Sequence, residues 1–283
     1  MGTNWSVRAY AGTPPYTGNL RTIISELFND ICDVFSTWQP DSFISRFNQS
    51  DVGSVTLMPP AFQTVWTTAL DIADKSNGAF NPALGDLTIA RGYGPQAGYT
   101  APPDELYKPV WAGDPCKTRG SHLEQCGQGA LDLSAIAKGY AVDQLADKLD
   151  SFGFVSVLAE IGGEYVGRGI KSDQQPWWID IETSDVNRPP LRLALLNEAI
   201  ATSGPRYNRT HAHSHIATDQ DASPFSSVSV IADSCLLADG WATALYAAGQ
   251  RGLELADEHA LKVICQMTDG RAAFSSALSP YLR

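Results

Sequence analysis

The sequence predicts an α+β fold. Three observations point there: helical and strand patterns are mixed without a regular βαβ alternation, short strand-like runs crowd the second half between turn residues, and 283 residues at 43% hydrophobic content suffice for one large core or two closely packed lobes. No internal repeat or low-complexity segment divides the chain, so residues 1–283 are expected to form a single domain.

Trp5 to Tyr10 opens as a strand. Between Asn19 and Phe35 the apolar positions Leu20, Ile23, Ile24, Leu27, Ile31, Val34 and Phe35 recur at helical spacing, and Ser36 to Pro40 ends that helix. A short ordered segment, Phe43 to Asn48, precedes a turn at Asp51 to Gly53, and Ala61 to Ser76 reads as a second helix. From Gly78 to Pro115 the chain is rich in Gly, Pro and aromatic residues, which predicts a loop region around a site rather than long regular elements.

A helix after Ser134, its expected N-cap, carries an apolar stripe through Val142, Leu145 and Leu149. Phe154 to Ile161 follows as a strand that stops at Gly162 and Gly163, where backbone can approach a ligand closely. Trp177 to Glu182, Leu191 to Leu196, Ala199 to Thr202 and Ser227 to Ala232 are further strands. Helices are expected from about Asp239 to Ala248 and Leu253 to His259, before a closing strand, Lys262 to Gln266.

A formal charge of −11 with no Lys/Arg-rich stretch repels polyanions, so nucleic acid is excluded as a partner. No run approaches the roughly 20 apolar residues of a membrane helix. The chain enters its first strand directly after Met1, Gly2 and Thr3, without the charged-then-apolar pattern of a signal peptide, and a targeting segment could precede it in the full-length protein. Neither a Gly-x-Gly-x-x-Gly helix opening nor a Walker A pattern is present, so a nucleotide site must be built differently. Of five cysteines, Cys116 and Cys126 bracket a polar loop and could either be bridged or remain free, whereas Cys235 and Cys265 lie in apolar runs as core residues.

Lys138 stands out, because it heads an apolar stripe near the start of its helix, where a cation opposes the helix dipole. An anionic group in the same place, such as a phosphate-bearing ligand, would account for it; the plainer alternative is a solvated surface lysine. Asp239 and Thr243, four apart, would share a helix face and could offer two oxygens to a hard cation such as magnesium. Equally, Asp239 could cap that helix and Thr243 bond back to a carbonyl. His211, His213 and His215 alternate, so an extended segment would place all three on one face, superficially like a zinc site or simply an exposed polar loop.

Several separated segments together resemble the ApbE family of FAD:protein FMN transferases. They are Met1 to Thr3, Phe43 to Asn48, Gly78 to Pro82, Asp132 to Asp143, Gly162 with Gly163, Ala201 to Gly204, His215 with Ile216, and Ala238 to Thr243, in family order over nearly the whole chain. The resemblance implies a two-lobed fold of mixed, largely antiparallel sheets flanked by helices. It implies magnesium-dependent cleavage of the FAD diphosphate, with transfer of FMN to a threonine of an acceptor protein and release of AMP. The implied acceptor is a flavoprotein subunit of a membrane redox complex. The implied location is periplasmic, as a membrane-anchored lipoprotein in full-length form, which a Cys116 to Cys126 bridge would suit.

By the same resemblance, the carbonyl of Ala135 joins Asp239 and Thr243 as metal ligands, and Lys138 helps hold the diphosphate. Asp132 would hydrogen-bond a ring edge of FAD, while Met1, Trp38, Ala79, Phe80 and Asn81 would line its pocket. His215 would contact the ligand and take the proton of the acceptor threonine, making His215, Lys138 and Asp239 the catalytic set. The chain departs from the family in two places: Asn81 stands where aspartate is frequent, and Asp86 where proline follows the glycine. Two other activities use the same residues: FAD pyrophosphatase, with water as acceptor, and a carrier that binds FAD without cleaving it.

Overall fold

A computed structural model describes residues 3–10, 18–95, 116–127, 129–181, 190–205, 216 and 223–281. Its centre is a seven-stranded, wholly antiparallel sheet. In chain order its strands are β1 (Trp5–Tyr10), β5 (Ser156–Ile161), β6 (Glu164–Arg168), β9 (Glu198–Ser203), β10 (Phe225–Ala232), β11 (Lys262–Met267) and β12 (Ala272–Phe274), and they lie side by side in that same order. Successive side chains on a strand point to opposite faces, and both faces here are apolar. Val157, Ala159, Val166, Ala199, Val230 and Val263 enter one core, whereas their neighbours Leu158, Ile200, Ile231 and Ile264 enter a second.

The first core is roofed by helices α1 (Leu20–Phe35), α2 (Phe43–Asn48), α3 (Pro60–Lys75), α5 (Ser134–Ser151), α6 (Cys235–Ala247) and α7 (Gly252–Glu258). The second is closed by a hairpin of β7 (Trp177–Ile181) and β8 (Leu191–Leu195), which lays Trp177, Ile179, Ile181 and Leu195 against the sheet. A small sheet of β2 (Val55–Leu57), β4 (His122–Gln125) and β3 (Cys116–Arg119), in that spatial order, is tied to α3 where Trp66 Nε1 donates to Thr118 Oγ1 at 3.0 Å.

Helix α6 is apolar nearly all round, as a helix enclosed on every side must be, and Asp239 is its only charged residue. It crosses α5 at contact distance. A Cβ on Gly139 would lie 2.1 Å from the Cys235 carbonyl oxygen and 2.8 Å from Asp239 Cβ, so only glycine permits the crossing.

Several expectations are corrected. Ser134 is the first residue of α5 and makes no side-chain cap; the carboxylate of Asp132 accepts from the Ser134 amide at 2.9 Å instead. Helix α6 starts four residues before Asp239, capped by Ser234 Oγ on the Leu237 amide and by Asp143, whose two oxygens accept from the Cys235 and Leu236 amides at 2.9 Å each. Both amides are unpaired helix-start donors, so a distant carboxylate does the work of a local cap. Gly162 and Gly163, with φ of 64° and 101°, end β5 as expected and also form the tight turn of the β5–β6 hairpin.

The glycine- and proline-rich region from Gly78 holds a six-residue helix, α4 (Gly85–Ala90). No disulfide joins Cys116 to Cys126. Cys116 faces the core directly across from Gln125, so Cys126, one residue on, lies out of register with it, and its thiol turns to the Glu124 carbonyl. Cys235 and Cys265 are buried, as expected of core residues.

Candidate active site

The segment entering α5 is fixed before the helix begins. Asn48 grips Leu131 at both backbone groups, accepting from its amide at 2.8 Å and donating to its carbonyl at 2.9 Å. Gly85 N donates to Ala130 O at 2.9 Å, Ala130 N to Asp86 Oδ2 at 3.2 Å, and Asp132 N to Pro82 O at 2.8 Å. These bonds form one wall of a cavity of about 480 Å³, lined also by Trp38, Pro40, Gln49, Thr88 and Ile89. Trp38 is 65% exposed, an indole left in solvent at the mouth of a cavity, and Asp132 lies in the same lining.

One turn into α5, Lys138 leaves the helix towards a buried acidic pair. Its Nζ lies 2.7 Å from Glu164 Oε1, and 3.1 and 3.4 Å from the two oxygens of Asp239. The protein's own carboxylates thus supply an anionic group beside Lys138, where a phosphate-bearing ligand was one way to account for it. Asp239 is 2% exposed, and its Oδ2 also accepts from the Gly139 amide at 2.9 Å. Burial raises the pKa of both carboxyls, and Lys138 opposes that rise; in Glu164 the Asp239 charge adds to it. Burial by itself would lower the pKa of Lys138, but Asp239 and Glu164 outweigh it and hold the ammonium charged.

Thr243 follows Asp239 by one turn on the same helix face. Its hydroxyl reaches off the helix, 3.0 Å from Ser203 Oγ on β9 and 3.5 Å from the carbonyl oxygen of Ala135, so its partners lie outside α6; Asp239, inside a helix capped by Ser234, has no cap role. Ala135, Lys138, Asp239 and Thr243 are therefore brought together at the α5–α6 crossing. Among the described residues no group of three or more His, Cys, Asp and Glu forms a metal cluster. The donors gathered here are a carboxylate, a hydroxyl and a backbone carbonyl, an all-oxygen set of the kind hard cations take.

Not every expected residue reaches the cavity. The ring of Phe80 is 2% exposed and packs in the main core, because a benzyl group gains more from that burial than from a cavity rim; it cannot stack on a ligand there. Ala79 and Asn81 are not in the cavity lining either, and the Asn81 carbonyl oxygen accepts from the Ala83 amide at 2.8 Å to shape the turn. Met1, His211, His213 and His215 lie outside the described residues.

Two residues escaped the sequence reading: Ser203 and Glu164. A signal for Glu164 existed. On β6 it shares a face with Val166, which is in the core, so a charge at that position has to be buried and paired.

Comparisons with known proteins bear on the family and the fold. The model of the ApbE family matches residues 1–265. An FAD:protein FMN transferase of Vibrio cholerae serotype O1 is 32% identical, with the alignment covering 100% of this chain and 90% of that protein. Among solved structures, the flavin transferase ApbE from Vibrio cholerae superimposes with a TM-score of 0.86 at 30% identity, covering 99% of this chain and 96% of that one. The apo form of the Pseudomonas stutzeri flavinyl transferase ApbE does so with a TM-score of 0.84 at 28% identity, over 99% and 94%.

Proposed function

The chain belongs to the ApbE family and is a flavin transferase, and from that premise we propose that it moves FMN from FAD to a threonine hydroxyl of an acceptor protein, with magnesium bound and AMP released. The observation that carries this reading is the convergence of the Asp239 carboxylate, the Thr243 hydroxyl and the Ala135 carbonyl beside the charged Lys138. Those three oxygens fit a magnesium ion, which strongly prefers oxygen ligands. When bound, the ion neutralises diphosphate charge during attack at phosphorus.

The chain's own residues do the rest. Lys138 offers a second positive charge to the diphosphate, and Trp38 and Asp132 offer a ring face and a carboxylate to the planar parts of FAD. The threonine oxygen attacks the phosphorus of the FMN half, the bond to the bridging oxygen breaks, and AMP departs with that oxygen. The proton of the threonine passes to a base, the role given to His215. The acceptor is a flavoprotein subunit of a membrane redox complex, and the enzyme works in the periplasm, anchored as a lipoprotein in its full-length form; family character supports both statements.

The test is the intact mass of a threonine-containing acceptor fragment after incubation with the protein, FAD and magnesium, with and without chelator. A gain of one FMN residue that chelation abolishes is expected. Release of FMN and AMP without modification would make the protein a pyrophosphatase, and unchanged FAD a carrier.

A further inference from the structure

Glu164 is a buried carboxylate with only one oxygen paired among the described residues. Oε1 takes the Lys138 ammonium at 2.7 Å, while Oε2 is buried and has no hydrogen-bond partner among those residues. It is placed by the Gly162–Gly163 turn, so close that a Cβ on Gly162 would lie 3.4 Å from Oε2. A buried charge in this condition is costly unless it serves a neighbour.

The neighbour is Asp239. Lys138 sits nearer to Glu164 than to either oxygen of Asp239, at 2.7 Å against 3.1 and 3.4 Å. An ammonium and a divalent cation that share one carboxylate repel each other, and at about 4 Å that repulsion is substantial in a partly buried site, so the two compete. Without Glu164, Lys138 would have Asp239 as its only carboxylate partner in the cluster, and the ammonium would take the place of the ion. With Glu164, one positive charge is shared by two carboxylates, and the cluster keeps a net negative charge that favours a further cation.

We propose that Glu164 is a positioning residue that draws Lys138 off Asp239 and so keeps the Asp239 carboxylate open to a divalent cation. This rests on the reading of Asp239 as a cation ligand. Lys138 has a flexible four-carbon stem and can turn about its Glu164 anchor as the ion arrives, staying beside the site where the diphosphate is to be held.

The test measures Mn²⁺ binding by the loss of its free electron paramagnetic resonance signal, on chelator-treated protein without FAD. Wild type, Glu164→Gln, Lys138→Met and the double variant are compared. Glu164→Gln is expected to weaken Mn²⁺ binding by at least tenfold. Lys138→Met is expected to bind at least as tightly as wild type, and the double variant to fall short of Lys138→Met by less than tenfold, because with no ammonium to hold, Glu164 contributes only its charge.

A Glu164→Gln affinity within twofold of wild type would overturn the proposal, as would a full tenfold loss persisting when Lys138 is absent, which would make Glu164 a direct ligand. If Glu164→Gln does not fold alone, the comparison of Lys138→Met with the double variant decides. Wild type that binds no Mn²⁺ would remove the cation reading itself, a result distinct from binding that ignores Glu164.

Discussion

The backbone amide of Gly139 donates to the carboxylate of Asp239 at 2.9 Å, joining two helices whose bonded residues lie 100 positions apart. That bond forms only because α5 and α6 touch at a residue without a side chain. Gly139→Ala would place a methyl 2.1 Å from the Cys235 carbonyl oxygen, and neither helix has room to yield. Overpacking of this kind costs about 3 kcal/mol. A Tm lowered by roughly 6 to 12 °C is expected in a calorimetric scan; an unchanged Tm would show that the crossing can open freely.

Asp239→Asn keeps an acceptor for Gly139 and removes the charge. Turnover, followed as AMP release, is expected to fall by at least about 100-fold, the scale of losing a main electrostatic contributor. FAD affinity, followed by flavin fluorescence, should change only a few-fold. Equal losses in both would make Asp239 a general binding contact.

Burial pushes the Asp143 carboxyl up to about 6, against the two α6 amides that favour its charged form. The folded state therefore holds the proton more tightly than the unfolded chain. Its contribution is fully present below about pH 4 and is lost as the pH rises through about 6, a span worth roughly 3 kcal/mol. Urea denaturation of wild type and Asp143→Asn between pH 4 and 7 should show the difference between them drifting against wild type by that order. A difference independent of pH would mean that Asp143 titrates normally.

Trp38 lines the cavity with most of its indole in solvent, so its loss should disturb ligand binding far more than folding. Trp38→Ala is expected to raise the KM for FAD about fivefold, equivalent to ~1 kcal/mol of ring contact, with Tm within a degree or two of wild type. A KM that does not move would place the flavin and adenine rings elsewhere.

His215→Ala should slow transfer to the acceptor threonine by about 100-fold while changing FAD affinity only a few-fold. Single-turnover transfer measured beside an FAD titration separates the two. Matched losses would make His215 a ligand contact rather than a base.

Local patterns made much of the fold legible. The stripe from Leu20 to Phe35 located α1 to within a residue, with the Asn19 side chain accepting from the Thr22 amide, and β1 spans Trp5–Tyr10 as expected. What stayed hidden depends on partners distant in sequence. Glu198, Ser203 and the whole of β6 acquire their places by pairing across the sheet, and α6 owes its true start to Asp143, 92 residues before Cys235. The site was legible to a similar extent. Lys138, Asp239 and Thr243 drew notice through their positions on helices, whereas Glu164 required β6 to be seen as a strand, and two glycines read as an ending concealed it. Phe80 shows the opposite failure, since an aromatic in a ligand-like loop cannot be told from a core residue by its type alone.

The 101-residue span between Lys138 and Asp239 also bears on folding. Loop closure over that distance precedes any reward from the contact, so Lys138 and Asp239 meet only late, once sheet, α5 and α6 have docked. A chain emerging from synthesis has no competent half-site until α6 has joined it. Ligands that bind only the assembled cluster stabilise the fold as a whole, by an amount that grows with ligand concentration. Occupancy of the cluster and completion of the fold are therefore one event, and a thermal shift caused by a ligand there reports on the entire molecule rather than on a local patch.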